Sequence, residues 1–347
     1  MEEVDPEHEA LRLEIDTLKE KIITKQAAVK DKSLFEICSA VGAAPRVKLS
    51  TKRILRGHIH KVNAIDFAAD NRHLVSGSLD GKLIIWDTWN GSKVQIIPLK
   101  SSWVLAVDYA ASGLFIASGG MDNMVTIYNL KTRDPDGNAS IMRELGFGGF
   151  LNCCRFISDK KLLTGSGDLK ITNWDLVKGL ATSELYGHAG DVASLSLNPL
   201  DENTFVTGSL DQTAKLWDLR VQGACQTFWG HSGDINCVSF HRSGLAFTTA
   251  SEDNSARLFD IRSDQEVAMY EPPESEDSGL TSCVISQSGR YIMAGHADSG
   301  IHIWDILKGD LAGTLTGHES RVTALSISPN GIAIASSSWD QNVRLWM

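Results

Sequence analysis

Residues 57–87 read GHIHKVNAIDFAADNRHLVSGSLDGKLIIWD, with a Gly57-His58 pair at one end, Asp80 before the last apolar run, and Trp86-Asp87 at the other end. Working outward from this stretch, the spacing from Asp to an aromatic six residues later recurs seven times: Asp80 and Trp86, Asp122 and Tyr128, Asp168 and Trp174, Asp211 and Trp217, Asp253 and Phe259, Asp298 and Trp304, Asp340 and Trp346. Successive aromatics lie 42 to 46 residues apart, and a Gly-His pair precedes four of them by 28 or 29 residues, placing His58, His188, His231 and His318. A fixed period of that length is the mark of a repeat architecture.

Within each unit the runs are short and β-prone. Leu83-Ile84-Ile85-Trp86 and Ala214-Lys215-Leu216-Trp217 each follow an Asp-containing turn, and Val322 to Ile327 alternates large and small residues as an inner strand would. Gly-His and Trp-Asp at this period point to WD40 repeats, one four-stranded blade each. The expected fold is therefore all-β, a seven-bladed WD40 β-propeller with an N-terminal α-helix. With antiparallel strands a to d, the Gly-His loop entering strand a and the Asp turn between b and c fall at the same end of the blade. His58 then reaches Asp80, and Ser76 or Ser78 links His58 to Trp86. The set His58, Asp80, Trp86, His188, Asp211, Trp217, His231, Asp253, His318, Asp340 and Trp346 thus reads as structural, each polar group satisfied inside its own blade. No nucleophile, metal cluster or cofactor motif accompanies it, and the absence of GxxxxGK[ST] argues against nucleotide binding.

The seventh unit reaches its aromatic at Trp346 and lacks a fourth strand. Residues 46–55, RVKLSTKRIL, are strand-like and belong to no other unit, so they are expected to complete the last blade and remove an open sheet edge. The propeller then spans 46–347, and residues 1–45 form a separate helical segment with its connector. In that segment Val4, Leu11, Ile15, Leu18, Ile22 and Val29 make a heptad seam flanked by Glu and Lys. A single short helix cannot bury such a seam alone, which favours a two-stranded coiled coil with another chain. A second helical stretch is expected from Ser33 through Leu34 to Cys38, turning the chain towards the propeller.

The formal net charge of −10 argues against a sequence-independent nucleic-acid binder, which needs clustered Lys and Arg. The N-terminal MEEVDPEHEA has no apolar run, which reads as no signal peptide, and no stretch reaches the length of a spanning helix. Cys38, Cys153, Cys154, Cys225, Cys237 and Cys283 include no CxxC pair and read as reduced, packed thiols of a cytoplasmic protein.

A heptad helix followed by seven such units resembles the β subunits of heterotrimeric G proteins. The local phrases carry the likeness: Thr51 to His58 (TKRILRGH), Asp80 to Asp87 (DGKLIIWD), Ser101 to Val104 (SSWV), Asn129 to Arg133 (NLKTR), Ala214 to Asp218 (AKLWD), Arg257 to Asp260 (RLFD) and Ser338 to Asp340 (SWD). The resemblance implies a near-permanent dimer with a small lipidated γ subunit through the N-terminal helix, capture of the GDP-bound α subunit on the propeller, and signalling to downstream effectors after release. It places the protein at the inner face of the plasma membrane through γ. Carried over by position, the α-facing surface would comprise Lys61, Lys82, Ile84, Lys93, Ser102, Trp103, Leu105, Met121, Asn123, Phe150, Asp191, Asp234, Asn236, Glu252 and Trp339, with Trp103 and Trp339 as aromatic anchors.

The chain departs from the family pattern at Gly148-Gly149-Phe150, where Gly-His and Tyr are usual, and at Asn63 and Ala193, where Tyr and Met are expected. An acidic stretch, Glu271 to Asp277, stands in place of a Gly-His and reads as a loop. A general WD-repeat scaffold or adaptor is the alternative from another class, since propellers host many functions. An enzyme would need convergent acid and base groups in a pocket, and every suggestive His–Asp pair here has a structural use.

Overall fold

The computed structural model describes residues 15, 17, 18, 20, 21, 24, 32–263, 265–272 and 278–347. Its sheets number seven among the described residues, each of four antiparallel strands. Strand β1 (Thr51–Arg56) precedes blade one, which holds β2 (Val62–Phe67), β3 (His73–Ser78), β4 (Lys82–Asp87) and β5 (Lys93–Pro98). Blade two holds Val104–Tyr109, Phe115–Gly120, Met124–Arg133 and Ala139–Gly146 (β6 to β9), and blade three Leu151–Ser158, Lys161–Ser166, Ile171–Asp175 and Leu180–Leu185 (β10 to β13). Blade four holds Val192–Leu197, Thr204–Ser209, Ala214–Asp218 and Ala224–Phe228 (β14 to β17), and blade five Ile235–Phe240, Ala246–Ser251, Ala256–Asp260 and Glu266–Tyr270 (β18 to β21). Blade six holds Leu280–Ile285, Tyr291–His296, Ile301–Asp305 and Leu311–Leu315 (β22 to β25), and blade seven Val322–Ile327, Ile334–Ser338 and Asn342–Trp346 (β26 to β28).

The first strands of the seven blades pack side by side around the axis, and β26 of blade seven meets β2 of blade one. Blade seven takes β1 as its outer strand, in the register Arg53 to Leu345, Leu55 to Val343 and Arg56 to Asn342. The strand is shorter than the 46–55 expected from sequence and shifted towards its end. Residues 46–50 form no strand; Val47 N–H bonds Ala312 O at 3.0 Å and Ser50 exchanges bonds with Met347. Across this closure Leu55, Val62, Ile65, Trp86, Val343 and Leu345 form one buried cluster shared by the first and last blades.

Two further devices hold neighbouring blades together. Gly77 lies where a Cβ would stand 2.6 Å from Val107 Cγ2 and 2.8 Å from Val104 Cγ1, so its bare backbone lets blade two approach. Near the axis, side chains on one inner strand accept the backbone N–H of the next: Phe67 gives to Ser326 (3.3 Å), Tyr109 to Asp66 (3.0 Å), Phe156 to Asp108 (2.6 Å) and Phe240 to Ser196 (3.0 Å). Arg155 balances the buried Asp108 charge at 2.7 Å.

Of the heptad seam, Ile15 and Leu18 are helical and 50% and 49% exposed; Val4, Leu11, Ile22 and Val29 lie outside the described residues. Helix α1 (Leu34–Ile37) starts where Ser33 Oγ accepts the Glu36 N–H at 3.2 Å, the expected cap. It ties the N-terminal segment to blades five and six. Phe35 sits edge-on to Tyr270 with ring centres 6.2 Å apart, Lys308 Nζ bonds Cys38 O (2.9 Å) and Ser39 O (3.0 Å), and Asp305 accepts Ala44 N–H at 2.9 Å. Lys308 and Asp305 belong to a turn between strands c and d, so this anchor lies at the opposite end of the ring from the b–c turns. The acidic stretch from Pro273 to Asp277 lies outside the described residues, and the six cysteines are free thiols.

Leu55→Asp would place an unpaired carboxylate in the closure cluster. It is expected to cost about 4 kcal/mol or more in urea unfolding, against little for Lys52→Asp on the exposed side of β1. Equal costs for the two variants would show that β1 does not close the ring.

Candidate functional site

The end of the ring that carries the b–c turns is built from a bond repeated in every blade. The first residue after each b strand, or its neighbour, gives its N–H to the carbonyl of the residue entering strand a: Leu79 to Lys61, Met121 to Trp103, Gly167 to Phe150, Leu210 to Asp191, Glu252 to Asp234, Ala297 to Gly279 and Trp339 to Arg321, at 2.9–3.2 Å. These bonds fix the two loops of each blade beside one another. The turn itself is set by its Asp, whose Oδ1 accepts the N–H two residues on, from Lys82, Met124, Lys170, Thr213, Ser255, Gly300 and Asn342. The residue after that Asp has positive φ in all seven blades, 57° to 86°, and is a glycine only at Gly81.

In four blades the same Asp also holds a histidine from the loop entering strand a. His58 Nδ1 lies 3.0 Å from Asp80 Oδ2, His58 Nε2 lies 2.7 Å from Ser76 Oγ, and Trp86 Nε1–H donates to Ser76 Oγ at 2.8 Å. The bridging hydroxyl is thus Ser76; Ser78 instead donates to Lys61 O. A consistent assignment has Trp86 donating to Ser76, Ser76 to His58 Nε2, and His58 Nδ1–H to Asp80. Blade four repeats it with His188, Asp211, Thr207 and Trp217, and blade seven with His318, Asp340, Ser336 and Trp346. Blade five keeps His231, Asp253 and Thr249, but Phe259 cannot donate to the hydroxyl. Blade three keeps the Trp174-to-Thr164 bond at 3.0 Å, and Phe147 packs edge-on to Trp174 in place of the missing histidine.

Burial acts to raise the pKa of these carboxyls, but hydrogen bonds from His and from backbone and hydroxyl donors outweigh it. Asp80, Asp211 and Asp253 are lowered, and Asp340 is lowered to about 2. These groups serve structure, and their hydrogen-bonding capacity is used inside the blade.

Of the residues expected on a docking surface, Lys61, Ser102, Trp103, Met121, Asn123, Phe150, Asp191, Asp234, Glu252 and Trp339 all belong to the loops and turns just described. Lys82 opens β4 beside the Asp80 turn. Trp103 is 53%, Met121 54% and Trp339 38% exposed, a large apolar area for one rim. Lys61 Nζ stands 3.5 Å above the Trp339 ring, and Arg321 lies on that ring as well as 3.7 Å from Glu252. Glu252 in turn accepts from Asn236 at 2.8 Å. Leu105 and Asn236 line the mouth of the axial channel, together with Asn63 and Ala193. A cleft of about 240 Å³ opens beside Trp103, lined by Ser118, Asp122, Tyr128 and Glu144. It lies in blade two, where no histidine bridges the turn.

One expected residue is corrected. Ile84 is fully buried, because its side chain packs with Leu55, Val62 and Trp86 in the closure cluster, so it offers no surface to a partner. Lys93 is exposed; its backbone pairs with Trp86, at the far end of the β4–β5 ladder from the Asp80 turn, but its ammonium reaches back beside Gly57 of the Gly-His loop, 5.8 Å from the Trp86 ring. Against the expectation of no metal cluster, His296, Asp298 and His302 bring their ligand atoms within 4.8 Å of one another in blade six. The spacing H-x-D-x-x-x-H was the available signal.

Fold and turn geometry define a WD-repeat propeller whose repeated polar groups are hydrogen-bonded within their own blades. The chain matches the family described as G protein beta WD-40 repeat protein over residues 5–347, and it belongs to that family. It is 47% identical over 342 residues to the guanine nucleotide-binding protein subunit beta of Lymnaea stagnalis, covering 97% of this chain and 98% of that protein. The family is non-catalytic. Among the described residues, no helix is long and apolar enough to cross a membrane.

A group whose folded-state pKa is depressed contributes stability that is present above the unfolded value and lost as pH falls through the folded value. Thermal midpoints of the wild type and of Asp340→Asn should therefore differ most near neutrality, and the gap should narrow between about pH 4 and the folded value near 2. A gap constant over that range would show that Asp340 gains nothing from its partners.

Proposed function

We propose that this protein is the β subunit of a heterotrimeric G protein, holding a γ subunit along its N-terminal helix and the GDP-bound α subunit on the b–c end of its ring. The observation that carries the reading is the continuous face of seven turn-and-loop pairs at one end of the propeller. There exposed Trp103, Met121 and Trp339 lie among Lys61, Lys82, Asp191, Asp234 and Glu252. Aromatic anchors ringed by charges of both signs suit a protein partner, the rings supplying affinity and the charges orientation. Lysines enter from blade one and carboxylates from blades four and five, so the face is polarised across the axis.

The γ assignment rests on Ile15 and Leu18, apolar positions three apart on one helix face and half exposed, and on the anchoring of the following segment at the other end of the ring. That placement leaves the docking face free while γ is held. Membrane association would come from the lipid on γ, and effectors would take the face once α has left. Ala193 at the channel mouth provides less apolar contact than a methionine there, so affinity for a given α subunit is expected to be lower than in relatives with the longer side chain.

Trp103→Ala should weaken binding of GDP-loaded α by about 1–3 kcal/mol in titration calorimetry and leave co-purification of γ unchanged. Leu18→Glu should do the reverse, abolishing γ retention by charging the seam. Unchanged α affinity in the first variant, or normal γ retention in the second, would count against the assignment. Recovery of a ubiquitin-ligase subunit in place of γ would favour an adaptor.

A further inference from the structure

Blade six solves its loop-end packing differently from the blades around it. The strand-b position that carries the bridging hydroxyl elsewhere, Ser76 opposite Ile84 or Ser336 opposite Arg344, is Ala294 opposite His302. His302 comes from strand c and packs 5.7 Å from Trp304, much as His188 packs 5.8 Å from Trp217. Unlike His188, it hydrogen-bonds neither a hydroxyl nor a carboxylate among the described residues. Both ring nitrogens of His302 are buried with no hydrogen-bond partner among the described residues, and the residue is only 9% exposed. Burying such a group is costly when nothing engages it.

The neighbouring His296 is as telling. Its Nε2 lies 2.8 Å from the Asn254 amide oxygen, so that nitrogen carries the proton. Nδ1 then presents its lone pair, and the Asp298 backbone N–H points at it from 3.4 Å. Yet Asp298 Oδ1 stands 2.8 Å from the same Nδ1. An imidazole nitrogen and a carboxylate oxygen thus converge, with a second buried imidazole, His302, beside them whose Nε2 lies close to the Asp298 side (both would crowd a Cβ at Gly300, at 3.1 and 3.5 Å).

We propose that His296 Nδ1, Asp298 and His302 Nε2 bind a divalent transition-metal ion, zinc by the chemistry of the donors. Two imidazoles and one carboxylate suit zinc, and ligands about 2.1 Å from a tetrahedral ion lie roughly 3.4 Å apart. The three ligand atoms fall within 4.8 Å of one another, so small side-chain rotations complete the site. Asn254 acts behind the metal, accepting the second ring N–H of His296 and fixing which nitrogen faces the ion. Asp298 is 41% exposed on its side chain, which leaves a fourth position for water. The ion joins the end of β23, the b–c turn and β24, and through Asn254 the turn of blade five. It does for blade six what the His–Asp pair does for blade one, stiffening the docking end of the ring where no Gly-His loop contributes.

The test uses the full chain, together with any partner that co-purifies, stripped with a chelator and then titrated with zinc in competition with a chromophoric chelator. One zinc per chain should bind and raise the thermal midpoint. Cobalt in its place should give tetrahedral d–d absorption without a thiolate charge-transfer band. His302→Asn and Asp298→Asn should each weaken binding about tenfold or more, and Asn254→Ala about 10- to 100-fold. Asp298→Asn keeps the turn bond to Gly300, so it remains informative if His302→Asn does not fold. Failure to bind one equivalent, affinity unchanged in both ligand variants, or a thiolate band with cobalt would overturn the site.

Discussion

The antiparallel pairing of β1 with β28 is the constraint on which the rest depends. Each blade buries its faces only against its neighbours, so an open ring would leave the apolar sides of blades one and seven in water. The cluster that joins them includes Leu55 from β1 and Trp86 from blade one, so a strand from before the first repeat seals the interface of the last. Closure also decides where the loops go. Once the seven inner strands run side by side around one axis, every loop entering strand a and every b–c turn must emerge at the same end.

At that end the Asp of each repeat has two uses, and they separate in the structure. It caps its own turn in all seven blades, whereas it holds a histidine from the entering loop in four. This explains why the Asp-to-aromatic spacing persists through units that have lost Gly-His, and why that spacing, more than the histidines, made the blade number legible. The blades without the full chain fill the space in different ways: Phe147 against Trp174 in blade three, a cleft beside Trp103 in blade two, and a histidine from another strand in blade six.

The fold was legible because a period of 42 to 46 residues is written in side chains that must be where they are. The surface was less so. Positions flanking the Gly-His and the Asp could be placed from strand alternation alone, and they lie together. Ile84 could not, since whether a strand-c side chain faces a partner or the neighbouring blade depends on how blades pack, and it faces the closure cluster. The group in blade six is not legible from local pattern because His296 and His302 belong to different strands and meet only when β23 and β24 pair.

Native-state hydrogen exchange tests the closed ring most directly. If β1 completes the last blade as an integral strand, its backbone amides should exchange only through the same global opening as those of β15 in blade four, with equal opening free energies and equal dependence on denaturant. Exchange of β1 amides through a separate, low-energy opening while β15 stays protected would contradict the account, because the ring would then be held together without its clasp.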